Sequence, residues 1–229
     1  MYFSYINILK ESGVDAMFAN KIINNKQLSL LEEIYLLASK CNTIVELKKS
    51  VFSFDLCQLK IISKNTVFSC GNIGADIMFI GEAPGQKEDE KGVPFCGRSG
   101  KLLDNMLASV SMTREDIYIT NAIFWRPPAN RNPNQEELEL CKPFLEKHIQ
   151  LVNPKIIVTL GGVSTKLLLN LSESISIIRG DIYDYTNKFL NKTIPCLPTF
   201  HPAYLLRSHG QKKYAWEDLK KLKDLYKTL

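Results

Sequence analysis

Four segments of the chain carry side chains that reactions use. Gly81-Glu82-Ala83-Pro84-Gly85 sets a carboxylate in a tight turn directly after an apolar run, where glycine supplies unusual dihedrals and proline fixes the exit. Gly92-Val93-Pro94-Phe95-Cys96-Gly97-Arg98-Ser99-Gly100-Lys101 then places an aromatic ring among small residues, just before a helix start suited to an anion. Asn121 stands within the apolar run Ile117–Phe124, ahead of a loop reading WRPPANRNP, and His201 opens the segment HPAYLLR. A carboxylate, an aromatic face, an amide and an imidazole are the parts needed to support a water, stack a nucleobase and read its edge. Each also has a plain structural use: Glu82 capping its own turn, Phe95 as a core plug, Asn121 as a turn former, His201 as a helix cap. Neither a P-loop nor a dinucleotide fingerprint is present, because no G-x-x-x-x-G-K-[ST] occurs and no G-x-G-x-x-G follows an apolar run.

These segments need a scaffold, and the hydrophobic pattern supplies one. Four short runs rich in β-branched or aromatic residues, Asp76–Gly81, Ile117–Phe124, Lys155–Gly162 and Thr193–Phe200, read as buried strands. Helical patterns lie between and after them: Lys101–Val110, Gln135–Val152 with an interruption expected at Pro143, Ser164–Leu171, and Gln211–Lys227 at the end. Strands that alternate with helices and are apolar throughout imply a parallel sheet covered on both faces, an α/β fold with ligands held outside the carboxyl ends of the strands. The reactive segments all follow such ends. Residues 1–50 read as an N-terminal helical extension without obvious chemistry, and residues 51–229 as the main domain.

Composition narrows the class. The chain has 229 residues, 45% hydrophobic and 23% charged, which excludes a disordered chain, a collagen or a coiled coil. No apolar stretch reaches the ~18 residues of a membrane span, and the first residues lack a signal-peptide pattern, so the cytoplasm is expected. The six cysteines contain no CxxC and read as buried free thiols, with no closed metal site. Net charge is +5, and from His201 onward seven Lys/Arg face three acids, an excess of four. A positive C-terminal end suits a nucleic acid, although a solvated lysine-rich helix face gives the same count.

Taken together, IMFIGEAPG, GVPFCGRSGKLLDNML, TNAIFWRPPANRNP with EEL and CKPFLE behind it, and PTFHPAYLLR with WEDL after it resemble the family-four uracil-DNA glycosylases, in order, from about Phe52 to the C-terminus. The resemblance implies a three-layer sandwich around a four-stranded parallel sheet, and hydrolysis of deoxyuridine in single- or double-stranded DNA by a monomer. It implies Glu82 as the carboxylate that positions or activates water and His201 as the donor at uracil O2. It also implies Phe95 as the stacking ring, Asn121 as the reader of O4 and N3, and Gly81, Ala83, Pro84 and Gly85 as the surrounding loop. Leu205, Leu206 and Arg207 would enter the space vacated by the flipped nucleotide, while Arg98, Arg126, Arg131, Lys212 and Lys213 approach phosphates. Relatives that bond covalently to the sugar carry a His-bearing insertion after the GRSG position; here Lys101 follows directly, so turnover is expected.

One departure stands out. Most members of that family hold an iron–sulfur cluster on four cysteines, whereas only Cys57 and Cys141 match here; Phe54 begins the stretch where the first pair should stand, and Trp125 replaces the third ligand. Two thiolates do not complete a four-cysteine cluster. The expectation is therefore no metal or cofactor, with Trp125 and Phe54 filling the space by apolar packing. Cluster loss also leaves room for a reading in which a DNA-binding module has kept the fold and lost the chemistry. A nucleotide-binding α/β protein is more distant, for want of a phosphate fingerprint.

Overall fold

The computed structural model describes residues 29–228. Chain order is α1 (29–39), α2 (Ile44–Ser53), α3 (Gln58–Ile62), β1 (Cys70–Gly71), β2 (Ile77–Gly81), α4 (Gln86–Lys91), α5 (Arg98–Ala108), β3 (Ile117–Asn121), α6 (Gln135–Val152), β4 (Ile156–Leu160), α7 (Gly162–Leu169), α8 (Ile175–Ile178), β5 (Tyr183–Tyr185), β6 (Ile194–Thr199), α9 (Pro202–Arg207) and α10 (Lys212–Lys227).

β2, β3 and β4 are buried at every residue, which is why they read as unbroken apolar runs; alternate side chains feed opposite faces of the sheet. Ile77 and Phe79 point into one core with Leu103 and Leu107 of α5 and Leu219 and Leu222 of α10. Met78 and Ile80 enter the other, with Leu145 and Ile149 of α6. The result is a three-layer α/β sandwich. Its sheet has six strands in the order β1-β3-β2-β4-β6-β5: the four inner strands are parallel, as expected, and the two short edge strands β1 and β5 add on antiparallel.

Two expectations about elements change. α6 runs from Gln135 to Val152 straight through Pro143, capped at its start by Asn134 and Glu137 in reciprocal hydrogen bonds. The boundary placed between residues 50 and 51 falls inside α2, whose Leu47 and Val51 share one core with Ile34 and Ala38 of α1 and with Phe124, Trp125 and Phe144. From residue 29 onward the N-terminal helices are thus packed into the main body, while residues 1–28 of the expected extension lie outside the described residues. Among the described residues no helix is long and apolar enough to cross a membrane. Cys41, Cys57, Cys141 and Cys196 are buried free thiols as read; Cys70 and Cys96 are only half-buried.

Candidate active site

β2 and β3 pair in register so that Gly81 lies beside Asn121, both at the carboxyl ends of their strands. A side chain at Gly81 could not be housed: a Cβ there would stand 2.4 Å from Asn121 Oδ1 and 2.7 Å from Phe95 Cζ. The missing side chain lets the amide and the ring share the floor of one cleft. Asn121 is 2% exposed, and its Oδ1 is buried without a hydrogen-bond partner. An orphaned buried acceptor is costly to leave unmade, so it marks a place where a donor is to arrive.

Phe95 is held in a strained, left-handed backbone conformation (φ 51°). What over-determines it is visible. Arg114 donates to the Phe95 carbonyl at 2.6 Å while its Nε donates to Asp104 at 2.5 Å, and Gly100 lies so close that a Cβ would overlap that carbonyl. The ring faces the imidazole of His201 across 5.6 Å between centroids, tilted by 31°.

His201 caps α9: its Nδ1 accepts from the Ala203 backbone N–H at 3.0 Å. A ring nitrogen that accepts carries no proton, so a neutral His201 holds its proton on Nε2 as a donor. Burial first, and the nearby Arg207 charge second, push its pKa down to about 4, which keeps the imidazole neutral near pH 7. Gly161, at φ 94°, passes beneath it; a Cβ there would sit 3.1 Å from that of His201.

Glu82 opens on the same cleft, and burial alone raises its carboxyl above the usual range. Glu88, one turn into α4, accepts from Gly97 N–H at 2.8 Å and abuts Gly85, so one carboxylate ties the Glu82 loop to the Phe95 loop. The cleft is ≈ 580 Å³ and is walled by Pro127, Asn130 and Asn132 on one side and by Ile175, Ser176 and Tyr204 on another.

Of the residues singled out from sequence, Glu82, Ala83, Pro84, Gly85, Phe95, Asn121, Arg131, His201 and Arg207 come together at this cleft, and Gly81 lies under its floor. Others stand elsewhere. Leu205 is fully buried with Phe200 and Ala215, so it anchors α9 and is not at a tip; only Leu206, half-buried, and exposed Arg207 face outward. The Arg131 guanidinium is engaged by Glu137 through two hydrogen bonds of 2.5 and 2.9 Å, and Arg126 Nε donates to Asn130 at 2.7 Å; both arginines brace their loop. Arg98, Lys212 and Lys213 are exposed outside the cleft. Gly161, Tyr204, Ile175 and Ser176 were not singled out; the Gly-Gly after β4 was a signal for the first, and nothing local marks the last two.

The family resembled calls for a cluster beside this site, and the residues present do not fit one. Cys57 and Cys141 are fully buried, and burial pushes the Cys141 pKa up. Around them Phe54 stacks on Trp125 at 6.3 Å and meets Phe144 edge-on at 4.9 Å, while the indole N–H donates to Thr66 at 2.9 Å. Phe54, Trp125 and Phe144 share one buried core with both cysteines, and no group of three metal-ligating side chains occurs among the described residues.

Comparison with known proteins bears on the cleft directly. Residues 68–221 match the model of the uracil DNA glycosylase superfamily. The chain belongs to that superfamily. Curated relatives include the type-4 uracil-DNA glycosylase of Sulfurisphaera tokodaii, 39% identical over 189 residues, covering 80% of this chain and 85% of the relative. The same-named enzyme of Saccharolobus solfataricus is 42% identical over 73% of this chain and 79% of its own, and that of Archaeoglobus fulgidus 37% over 79% and 92%. A uracil-DNA glycosylase fold therefore carries the Gly81, Phe95, Asn121 and His201 floor, since all four fall within the matched span.

Proposed function

We propose that the chain hydrolyses the N-glycosidic bond of deoxyuridine in DNA, releasing uracil and leaving an abasic site. The observation that carries this reading is the pair of base-edge groups on the cleft floor: a buried Asn121 amide with an unpaired Oδ1, and a neutral His201 whose proton lies on Nε2. A uracil turned out of the stack offers N3–H to Asn121 Oδ1, accepts from the Asn121 amide at O4, and accepts from His201 at O2, with its face on Phe95. Cytosine inverts the first two contacts, presenting an amino group and an unprotonated N3, and leaves buried polar groups unpaired.

The chemistry follows the charge. As the C1′–N1 bond breaks, its electron pair leaves on the base and negative charge collects at O2, opposite the His201 donor. The sugar gains positive character. Glu82 takes a proton from a water whose oxygen bonds to C1′, and the uracil anion takes up a proton from solvent after it departs. A carboxyl raised by burial and without a hydrogen bond to another described side chain is suited to that exchange.

Leu206 is the side chain for the vacated stack position, with Arg98, Arg207, Lys212 and Lys213 for phosphates of either single- or double-stranded DNA. The reading includes no iron–sulfur cluster, supported by Phe54 and Trp125 packed against Cys57 and Cys141. The test is incubation with an oligonucleotide containing one uracil, followed by alkali to cut abasic sites. Cleavage at the uracil and at no thymine or cytosine is expected; DNA that is bound but left intact would replace the hydrolase with a binding module.

A further inference from the structure

α10 carries more on its outer face than a solvated helix needs. Lys213, Trp216, Lys220, Lys223 and Lys227 recur at spacings of three, four, three and four residues, which sets them on one stripe about 21 Å long. Ala215, Leu219 and Leu222 form the buried face of the helix, the two leucines within the sheet core and Ala215 against Phe200 and Leu205. In the middle of the lysines Trp216 is 48% exposed, with Lys220 Nζ over its ring at 4.0 Å. Lys213 stands over the neighbouring Tyr214 ring at 4.7 Å. Lys227 pairs with Asp224, while Lys213, Lys220 and Lys223 make no ion pair among the described residues.

In sequence the stripe follows closely on the cleft wall. Arg207 lines the cleft wall, and one short turn, His209–Gln211, separates α9 from α10. Arg179 ties the two regions further: its guanidinium lies over Phe200 in the wall at 5.6 Å and over Tyr214 at 5.3 Å, and it donates to the Tyr214 carbonyl and to the buried Asp218 carboxylate.

We propose that the Trp216–lysine stripe is a track for single-stranded DNA flanking the nucleotide held in the cleft, with Trp216 stacking an unpaired base. This rests on the uracil-excision reading for what occupies the cleft. Duplex DNA offers its phosphates to such a stripe but keeps its base faces stacked, so lysines alone would serve it. An exposed indole among them fits a strand whose bases are open, the combination of aromatic platform and positive groove found where single strands bind. Cation–π contact from Lys220 keeps the ring on the basic stripe when no DNA is present.

The experiment measures binding of an oligothymidylate and of a uracil-free duplex of equal length, together with intrinsic fluorescence. Trp125 is fully buried, so quenching on addition of the single strand reports Trp216. Trp216→Ala should lose at least about fivefold affinity for the single strand, with little change on the duplex and an unaltered salt slope, since no charge is removed. Trp216→Phe should recover most of the loss. Lys213, Lys220 and Lys223 changed together to Gln should flatten the single-strand slope by about 2. Wild-type single-strand affinity in Trp216→Ala, an equal loss on both DNAs, or a Trp216-dependent dimer in sedimentation would each overturn the track. Excision by wild type, measured on the uracil strand in parallel, separates failure of the track from failure of the glycosylase reading.

Discussion

In the proposed reaction His201 contributes as a neutral donor, and acid is the perturbation that tests this. An ordinary imidazole titrates near 6.5, so between pH 7.5 and 5.5 its neutral fraction falls about tenfold. His201, with its pKa pushed down to about 4 by burial and by Arg207, stays neutral to within about 5% across the same interval. The displacement corresponds to about 3 kcal/mol favouring the neutral ring, enough to keep the Nε2 proton in place wherever DNA remains paired. Glu82 adds an acid limb of its own, because its raised carboxyl must lose a proton to act as base and does so above the usual carboxylate range. The assay is therefore single-turnover excision from pH 4 to 8 in wild type and in Glu82→Gln, where the carboxylate limb is gone. Wild type should decline on the acid side with the Glu82 limb. The slower Glu82→Gln rate should be flat down to about pH 5 and fall below it. ¹³C-edited titration of the three histidines, with His201 assigned through His201→Gln, gives the pKa directly. A tenfold fall in Glu82→Gln between pH 7.5 and 5.5, or a rate that rises as His201 protonates, would refute the neutral-donor argument.

Asn121→Asp replaces the amide donor with an acceptor, so uracil excision should fall by about 10²-fold or more while weak cytosine excision becomes detectable. Product formation from paired uracil and cytosine oligonucleotides measures it, and unchanged selectivity would remove Asn121 from base reading. Gly81→Ala drives a methyl group into Asn121 Oδ1 and the Phe95 ring, so excision should drop at least about tenfold with the thermal midpoint shifted by only a few degrees. Full activity in that variant would show that the floor is not where the base sits. Purified without oxygen, the protein should be colourless and free of stoichiometric iron and sulfide by elemental analysis; a brown preparation would contradict the Phe54–Trp125 packing.

The inner sheet was legible because β2, β3, β4 and β6 are buried on both faces and so read as unbroken apolar runs. The edge strands were not, since two residues in β1 and three in β5 are too short to show a period. Glu82, Phe95 and His201 stand out in the sequence through adjoining glycines or prolines, and Asn121 as the polar residue that closes a strand. Leu205 and Leu206 are adjacent leucines, and only the turn of a six-residue helix decides that the first enters the core and the second does not. Ile175 and Ser176 reach the cleft through the placement of α8, a tertiary fact without a local signature. Pro143 does not break α6, because the helix is buried along much of its length and packing holds it through the missing donor.

The stacked pair Phe54 and Trp125 changes what the cleft wall depends on. Trp125 leads directly into Arg126 and the Pro127–Asn132 loop, four of whose residues line the cleft. Indole, phenyl and a hydrogen bond to Thr66 brace the start of that loop, all encoded in the chain and formed as the core closes. The wall of the site therefore forms as the core closes, and a change that loosens Phe54 or Trp125 should reach the cleft through this loop.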